Sequence, residues 1–176
     1  MRKIILYIAS SLDGYIADKN NNIDWLTSYH GNYGYQDFMS TVDTVLSGRK
    51  TYDEVVKMGF PNPHPEQVNY VLTASPEKYQ NASNIIFTSR NPIELVNELL
   101  KQEGKNIFLV GGGELIANFL KNNLIDEIIL FIVPIILGNG IPLFKPINEQ
   151  IKFETSSVKK YDDGMIGLKL QRNNSL

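Results

Sequence analysis

No cysteine occurs among the 176 residues, which excludes disulfides, thiolate metal sites and a cysteine nucleophile. Histidine is almost as scarce: only His30 and His64 could supply an imidazole, and no spacing in the chain resembles a zinc site. His64 falls in Pro61-Asn62-Pro63-His64-Pro65, where the prolines prevent regular structure, so an exposed loop is expected. No metal site is expected. Neither sign of charge dominates, with 17 Lys+Arg against 19 Asp+Glu and a net charge of −2. That balance argues against broad, sequence-independent nucleic-acid binding. No apolar run approaches the ~20 residues of a membrane span. The apolar stretch that begins at Ile4 is too short for a secretory signal core and leads straight into Ser10-Ser11-Leu12-Asp13-Gly14. The expectation is a cytoplasmic protein without membrane or nucleic-acid partners.

What is present reads as globular: 43% of residues are hydrophobic and 20% charged. The length suits one domain over residues 1–176, with no internal repeat or linker. Short apolar runs predict buried strands at 3–10, 44–47, 68–73, 84–88, 106–110 and 127–133. Helical patterns fall between them, at 35–41, after Gly48, after Asn91 and at 114–122. Asn91, Pro92 and Glu94 form a capping signal. Asp162-Asp163-Gly164 joins 158–161 to 165–171 as a hairpin. The polar tail 173–176 is expected to fray. Strands alternate with helices and then strands dominate, so the fold class is α/β: a mostly parallel central sheet with an antiparallel C-terminal hairpin. The apolar run 128–137 suits either a central strand or a buried interface.

The most informative stretch is Val110-Gly111-Gly112-Gly113-Glu114-Leu115, where a strand ends in three glycines and a helix starts at once. Backbone without side chains can approach a ligand closely, and the helix start offers free N–H groups and a positive dipole end. A phosphate or pyrophosphate fits there, although glycine turns also serve simple chain reversal. Neither a P-loop nor a full Gly-x-Gly-x-x-Gly fingerprint is present.

Two other strand ends carry ligand-friendly residues. Ala9 to Ala17 places Ser11 and Asp13 just past the first strand. Ser47-Gly48-Arg49-Lys50-Thr51-Tyr52 sets two cations and a hydroxyl at a helix start, which an anion between them would stabilise. The alternative is a solvated helix start. Open α/β sheets bind ligands outside the carboxyl ends of their strands, so all three turns can face one crevice. Asp13 also reads as an Asp-Gly turn residue. Asp24-Trp25 reads as an acid beside a stacking wall or as a loop with one buried tryptophan. Asp37 and Phe38 lie on a short helix, where Asp37 can simply be solvated.

These motifs, in this order, resemble the dihydrofolate reductase superfamily. The nearer likeness is to its riboflavin-pathway branch, the C-terminal reductase domain of the bifunctional deaminase–reductase. Four segments carry it: 8–16, 47–52, 110–115, and 125–127 followed by an apolar strand and Leu137-Gly138-Asn139-Gly140-Ile141-Pro142-Leu143-Phe144. The resemblance implies a three-layer fold with helices on both sheet faces, and an NADPH-dependent reductase of a pterin- or pyrimidine-like heterocycle. It implies that Gly48, Arg49, Lys50 and Thr51 hold the phosphate region, and that Thr73, Ala74 and Ser75 meet the 2′-phosphate. Arg90 would flank the adenine side. Val110, Gly111, Gly112, Gly113, Glu114 and Leu115 would cradle the pyrophosphate, and Ala9 and Ile16 would flank the nicotinamide. Asp13 and Trp25 are the candidate catalytic pair; Ser11, Asp24, Asp37 and Phe38 are candidate substrate contacts. A homodimer is also implied.

Two positions depart from the family pattern. Folate reductases place a carboxylate about five residues past the loop tryptophan, at the position held here by His30. Pyrimidine reductases of the riboflavin branch carry Glu where this chain has Gly111. The departures motivate a second reading, a nucleotide-binding module of the same fold with little or no turnover.

Overall fold

The computed structural model describes residues 1–173. In chain order its elements are β1 (Ile4–Ser11), β2 (Tyr15–Ala17), α1 (Asp24–Thr27), α2 (Tyr35–Ser40), β3 (Val42–Gly48), α3 (Arg49–Lys57), β4 (Val68–Leu72), β5 (Ile85–Thr88), α4 (Pro92–Leu99), β6 (Asn106–Gly111), α5 (Gly113–Lys121), β7 (Glu127–Val133), β8 (Ile141–Pro142), β9 (Phe153–Lys160) and β10 (Ile166–Arg172). A single 3₁₀ turn lies at Pro76–Lys78.

Eight strands form one sheet in the order β5-β4-β3-β6-β1-β7-β10-β9. The first six in that order run parallel, β10 is antiparallel to β7, and β9 is antiparallel to β10. Strands covered on both faces have no polar side to present, which is why β1, β6 and β7 read as nearly unbroken apolar runs. The parallel arrangement puts Ser11, Gly48, Leu72, Thr88, Gly111 and Val133 along one edge, at the carboxyl ends of their strands. The opposite edge is pinned by polar bonds, with the Arg2 guanidinium donating to Lys105 O, Leu99 O and Thr44 Oγ1 and Asp126 accepting from Ile4 N.

Alternation along the strands divides the core between two faces. Ile4, Leu6, Leu46, Ile107, Leu109 and Ile128 pack under Leu95, Val96 and Leu99 of α4 and Ile116, Phe119 and Leu120 of α5. On the other face Ile5, Val45 and Phe108 meet Phe38 and Met39 of α2, while Phe131, Val133 and Met165 meet Trp25 and Leu26 of α1. Tyr52 of α3 covers Val71 and Phe87 on that same face. Helices therefore flank both faces, as expected. The apolar run after Asp126 is a central strand, β7, between β1 and β10.

Four features differ from the sequence expectation. β9 starts at Phe153, earlier than the hairpin signal, because Glu154, Thr155, Ser156 and Ser157 lie on an exposed edge and carry no apolar alternation. β2 and β8 pair across more than a hundred residues of chain, so neither has a local partner to signal it. The Trp25 loop forms one helical turn, α1. Asn173 is held, its side chain donating to Glu154 Oε1 at 2.6 Å; residues 174–176 of the expected frayed tail lie outside the described residues. Among the described residues no helix is long and apolar enough to cross a membrane.

Candidate active site

Two helix starts meet at the carboxyl edge of the sheet. Helices α3 and α5 begin on Gly48 and Gly112, and among the described residues no side chain caps either one. Helix α4 makes the contrast: its Asn91 Oδ1 accepts from Ile93 N and Glu94 N at 2.9 and 3.3 Å. The first N–H groups of α3 and α5 thus lack a side-chain partner, and both dipoles present their positive ends. The turns are in contact. A Cβ at Gly48 would lie 3.7 Å from both Gly111 O and Gly112 N, one at Gly112 3.1 Å from Thr51 Oγ1, and one at Gly113 3.2 Å from Pro142 O. Gly111 has φ 118°, a conformation that side chains rarely tolerate, and its peptide bond to Gly112 is cis. A side chain at Gly112 would crowd Thr51 and one at Gly113 would crowd Pro142 O, whereas at Gly48 a Cβ would make ordinary contact with the glycine turn.

Cations surround this backbone. Lys50 is exposed and acts on Glu114 in the first turn of α5. Lys145, which follows the 137–144 motif, ion-pairs with the same carboxylate and holds its pKa below the usual range. Its side chain also passes Gly113, where a Cβ would lie 3.6 Å from Cε. Arg49 turns the other way, to Tyr79 and Asp53, which raise its pKa. Two adjacent cations in sequence therefore serve opposite sides of the turn. Leu115 contributes backbone alone: its side chain is buried and its N–H donates to Gly112 O at 2.9 Å.

Further along the edge, Thr73 N donates to Thr88 O at 2.9 Å, and Thr73 Oγ1 accepts from Ser75 N at 3.2 Å. Ala74 is exposed between them. Arg90, past β5, ion-pairs with Glu98 at 2.6 Å. Arg90, the 73–75 loop, the Gly48 turn, the glycine turn and Ala9 follow the strand order β5-β4-β3-β6-β1. At about 4.8 Å per strand, that track is roughly 19 Å long.

The β1 end is built differently. Ser11 is buried; its Oγ accepts from Tyr15 N at 2.9 Å and donates to Asp13 Oδ1 at 2.6 Å. Asp13 also accepts from Leu137 N and Gly138 N at 3.1 and 2.7 Å, tying the β1–β2 turn to the loop after β7. The Ser11 bond, followed by these backbone donors, holds the Asp13 carboxyl below its usual range. At neutral pH it is an ionised acceptor and has no proton to give. Ile16 packs at the edge of the core beside Ile8, and Ala9 is half-buried. Asp24 is exposed and accepts from Asn22 Nδ2 at 2.8 Å, and Asp37 is exposed on α2. Phe38 is buried and stacks on Tyr7 at 4.7 Å. Trp25 packs in the Phe131 cluster with its indole Nε1 buried and unpartnered among the described residues. The structure brings Trp25 and Phe38 to the face of Ala9 and Tyr7, and leaves Asp24 and Asp37 in solvent.

His64 corrects the exposed-loop expectation. Its ring is 9% exposed, edge-on to Phe108 at 5.7 Å. Nδ1 lies 3.2 Å from Asn69 Oδ1 and Nε2 lies 3.0 Å from Tyr35 Oη. Burial pulls its pKa down. Prolines announce a loop, but they carry no signal for what the loop folds onto. Beside the ring is a pocket of about 20 Å³, lined by Ser47, Thr51, Val55, Asn69 and Val110, with room for about one water. Tyr35, His64, Asn69 and Lys145 had no motif to reveal them, although Lys145 directly follows one.

Comparison with known proteins gives concordant results. The sequence model of the RibD C-terminal domain matches residues 2–166. The uncharacterized protein YwjB of Bacillus subtilis (strain 168) is 40% identical over 162 residues, covering 91% of this chain and 92% of its own. A candidate riboflavin biosynthesis protein of Shewanella sp. PV-4 superposes with a TM-score of 0.86 at 28% identity, over 98% of this chain and 99% of that one. Dihydrofolate reductase from Enterococcus faecalis, solved with NADP(H), gives a TM-score of 0.71 at 19% identity over 98% of this chain and 97% of that one, a likeness of fold alone.

Proposed function

This chain belongs to the RibD C-terminal domain family, with a dihydrofolate-reductase-like fold, and we propose that it is an NADPH-dependent reductase of a pterin- or pyrimidine-like heterocycle. The observation that carries this reading is the meeting of two glycine-started helices, free of side-chain caps, between Lys50 and Lys145. A pyrophosphate is the ligand whose charge and size suit two adjacent helix starts. NADPH, when bound, supplies a hydride. The N–H groups of Gly112, Gly113, Glu114 and of Arg49, Lys50 and Thr51 hold the pyrophosphate. Thr73, Ala74, Ser75 and Arg90 meet the adenosine-side phosphate and base, and Ala9 and Ile16 flank the nicotinamide. On the face below, Tyr7, Trp25, Phe38 and Val110 give an apolar wall that excludes water from the reacting carbon.

A second reading is a nucleotide-binding module without turnover. Its support is the state of the carboxylates, with Asp13 committed as an ionised acceptor and Asp24 and Asp37 in solvent. Calorimetric titration with NADPH and NADH, followed by absorbance assays with dihydrofolate and 5-amino-6-(5-phosphoribosylamino)uracil, separates the two. Binding with acceptor-dependent oxidation supports the reductase; binding without oxidation supports the module. A homodimer is the proposed assembly, with the exposed edge strand β9 as the place where a second copy pairs, and light scattering tests it.

A further inference from the structure

Asp13 stands at the cleft as an ionised acceptor, and a polar chain runs beside it from β4 to α2. Asn69 Nδ2 donates to His64 O at 2.8 Å and to Gln67 O at 2.9 Å. Those two carbonyls fix the amide orientation, so the oxygen of Asn69 is the atom facing His64 Nδ1. An oxygen there requires the hydrogen on Nδ1. The Nε2 lone pair is then bare and accepts from the Tyr35 hydroxyl at 3.0 Å. The Tyr35 ring is edge-on to Tyr7 at 5.5 Å, on the β1 face that continues to Ala9, and remains 37% exposed. The His64 ring borders the small pocket that Thr51 and Val110 line beside the glycine turn. The polar chain therefore joins the pocket beside the glycine turn, at His64, to the aromatic face of β1, at Tyr35.

We propose that Tyr35, positioned by His64 and Asn69, is the residue that delivers the proton to the substrate. The proposal rests on the reductase reading. With His64 neutral, the Tyr35 hydrogen is committed to Nε2 and the cleft sees only oxygen lone pairs. With His64 protonated, Nε2–H donates to Tyr35 Oη and the phenol hydrogen is free for the cleft. In the step, a substrate C=N carbon accepts hydride from a reduced nicotinamide, which is thereby oxidised, and the nitrogen takes the Tyr35 proton. The phenolate oxygen takes the Nε2 proton as His64 returns to neutral, and solvent reprotonates the ring. Around His64, α2 offers Tyr35, α3 offers Tyr52, and β4 and β6 offer Asn69 and Phe108; among the described residues no charged side chain acts on the ring. Burial raises the pKa of both tyrosines and lowers that of His64. Proton delivery accordingly strengthens as pH falls through a His64 value below the usual histidine range.

With only His30 and His64 in the chain, imidazole ¹⁵N NMR tests the arrangement in the free protein. The expected result is a protonated Nδ1 and bare Nε2 on His64, a titration midpoint below the usual histidine value, and an Nε2 shift in Tyr35→Phe. An Nε2–H tautomer, or a midpoint at or above the usual histidine value, overturns the proposal. In turnover, Tyr35→Phe and His64→Gln are expected to lower kcat by about 10²-fold and to flatten its pH profile, with NADPH affinity unchanged. Unchanged kcat and profile in Tyr35→Phe overturn the proton role and leave the reductase reading standing. A wild-type protein that binds no NADPH, or never oxidises it with either acceptor, removes the reductase reading and the proton role with it.

Discussion

The two halves of the cleft are made of different material. The phosphate half is backbone: Gly48, Gly111, Gly112 and Gly113 pack turn against turn, and the chemistry is in N–H groups that no side chain occupies. The substrate half is side chains: Tyr7, Trp25, Tyr35, Phe38 and His64 converge from β1, two short helices and a proline-rich loop. A backbone site needs consecutive residues with a particular conformation, so it is written as a contiguous motif. A side-chain site needs only convergence in space, so it leaves no such mark.

Substitutions should separate the halves. The largest expected effect is from Phe38→Ala, which removes a buried ring stacked on Tyr7 and should cost about 3–5 kcal/mol of stability. Chemical denaturation measures it, and NADPH affinity of the folded fraction should change little. Gly112→Val places a branched side chain against Thr51, whose Oγ1 would be 3.1 Å from the Cβ, and should weaken NADPH binding at least ~100-fold, or about 3 kcal/mol. Circular dichroism must show the variant folded; normal binding in a folded variant would remove the glycine argument. Lys50→Ala and Lys145→Ala should each weaken NADPH by roughly 1.5–3 kcal/mol, less at high salt, as for charge-assisted contacts. Arg49→Ala should have the smaller effect, because its guanidinium turns to Tyr79 and Asp53, away from the glycine turn that Lys145 passes.

Asn91→Ala offers the control. It removes the side-chain cap of α4, at about 1 kcal/mol of stability, and should leave NADPH affinity untouched. The smallest effect concerns Asp13. Its folded pKa is lowered, so its contribution to stability is present above the unfolded value and is lost as pH falls through the folded one. The difference in melting temperature between wild type and Asp13→Asn should shrink over that acid range and be flat at neutral pH.

The same division explains how much of the molecule could be read in advance. Buried parallel strands such as β1, β6 and β7 announce themselves as apolar runs, and Asn91-Pro92 announces the start of α4. The 137–144 motif proves structural in part, since a Cβ at Gly140 would collide with Ala17 O where β8 crosses β2. Asp13 was readable as important, but its partners Leu137 and Gly138 lie more than a hundred residues away, so its role as an anchored acceptor was not. His64 shows the limit most clearly. Its neighbours in sequence are prolines and polar residues, while its burial comes from Phe108, Asn69 and Tyr35.

The most direct test is calorimetric titration of the wild-type protein with NADPH beside Gly112→Val. The account predicts saturable binding to the wild type, weaker binding of NADH, and loss of the NADPH signal in a folded Gly112→Val. A wild type that binds neither dinucleotide, or a folded variant that binds NADPH normally, would contradict it.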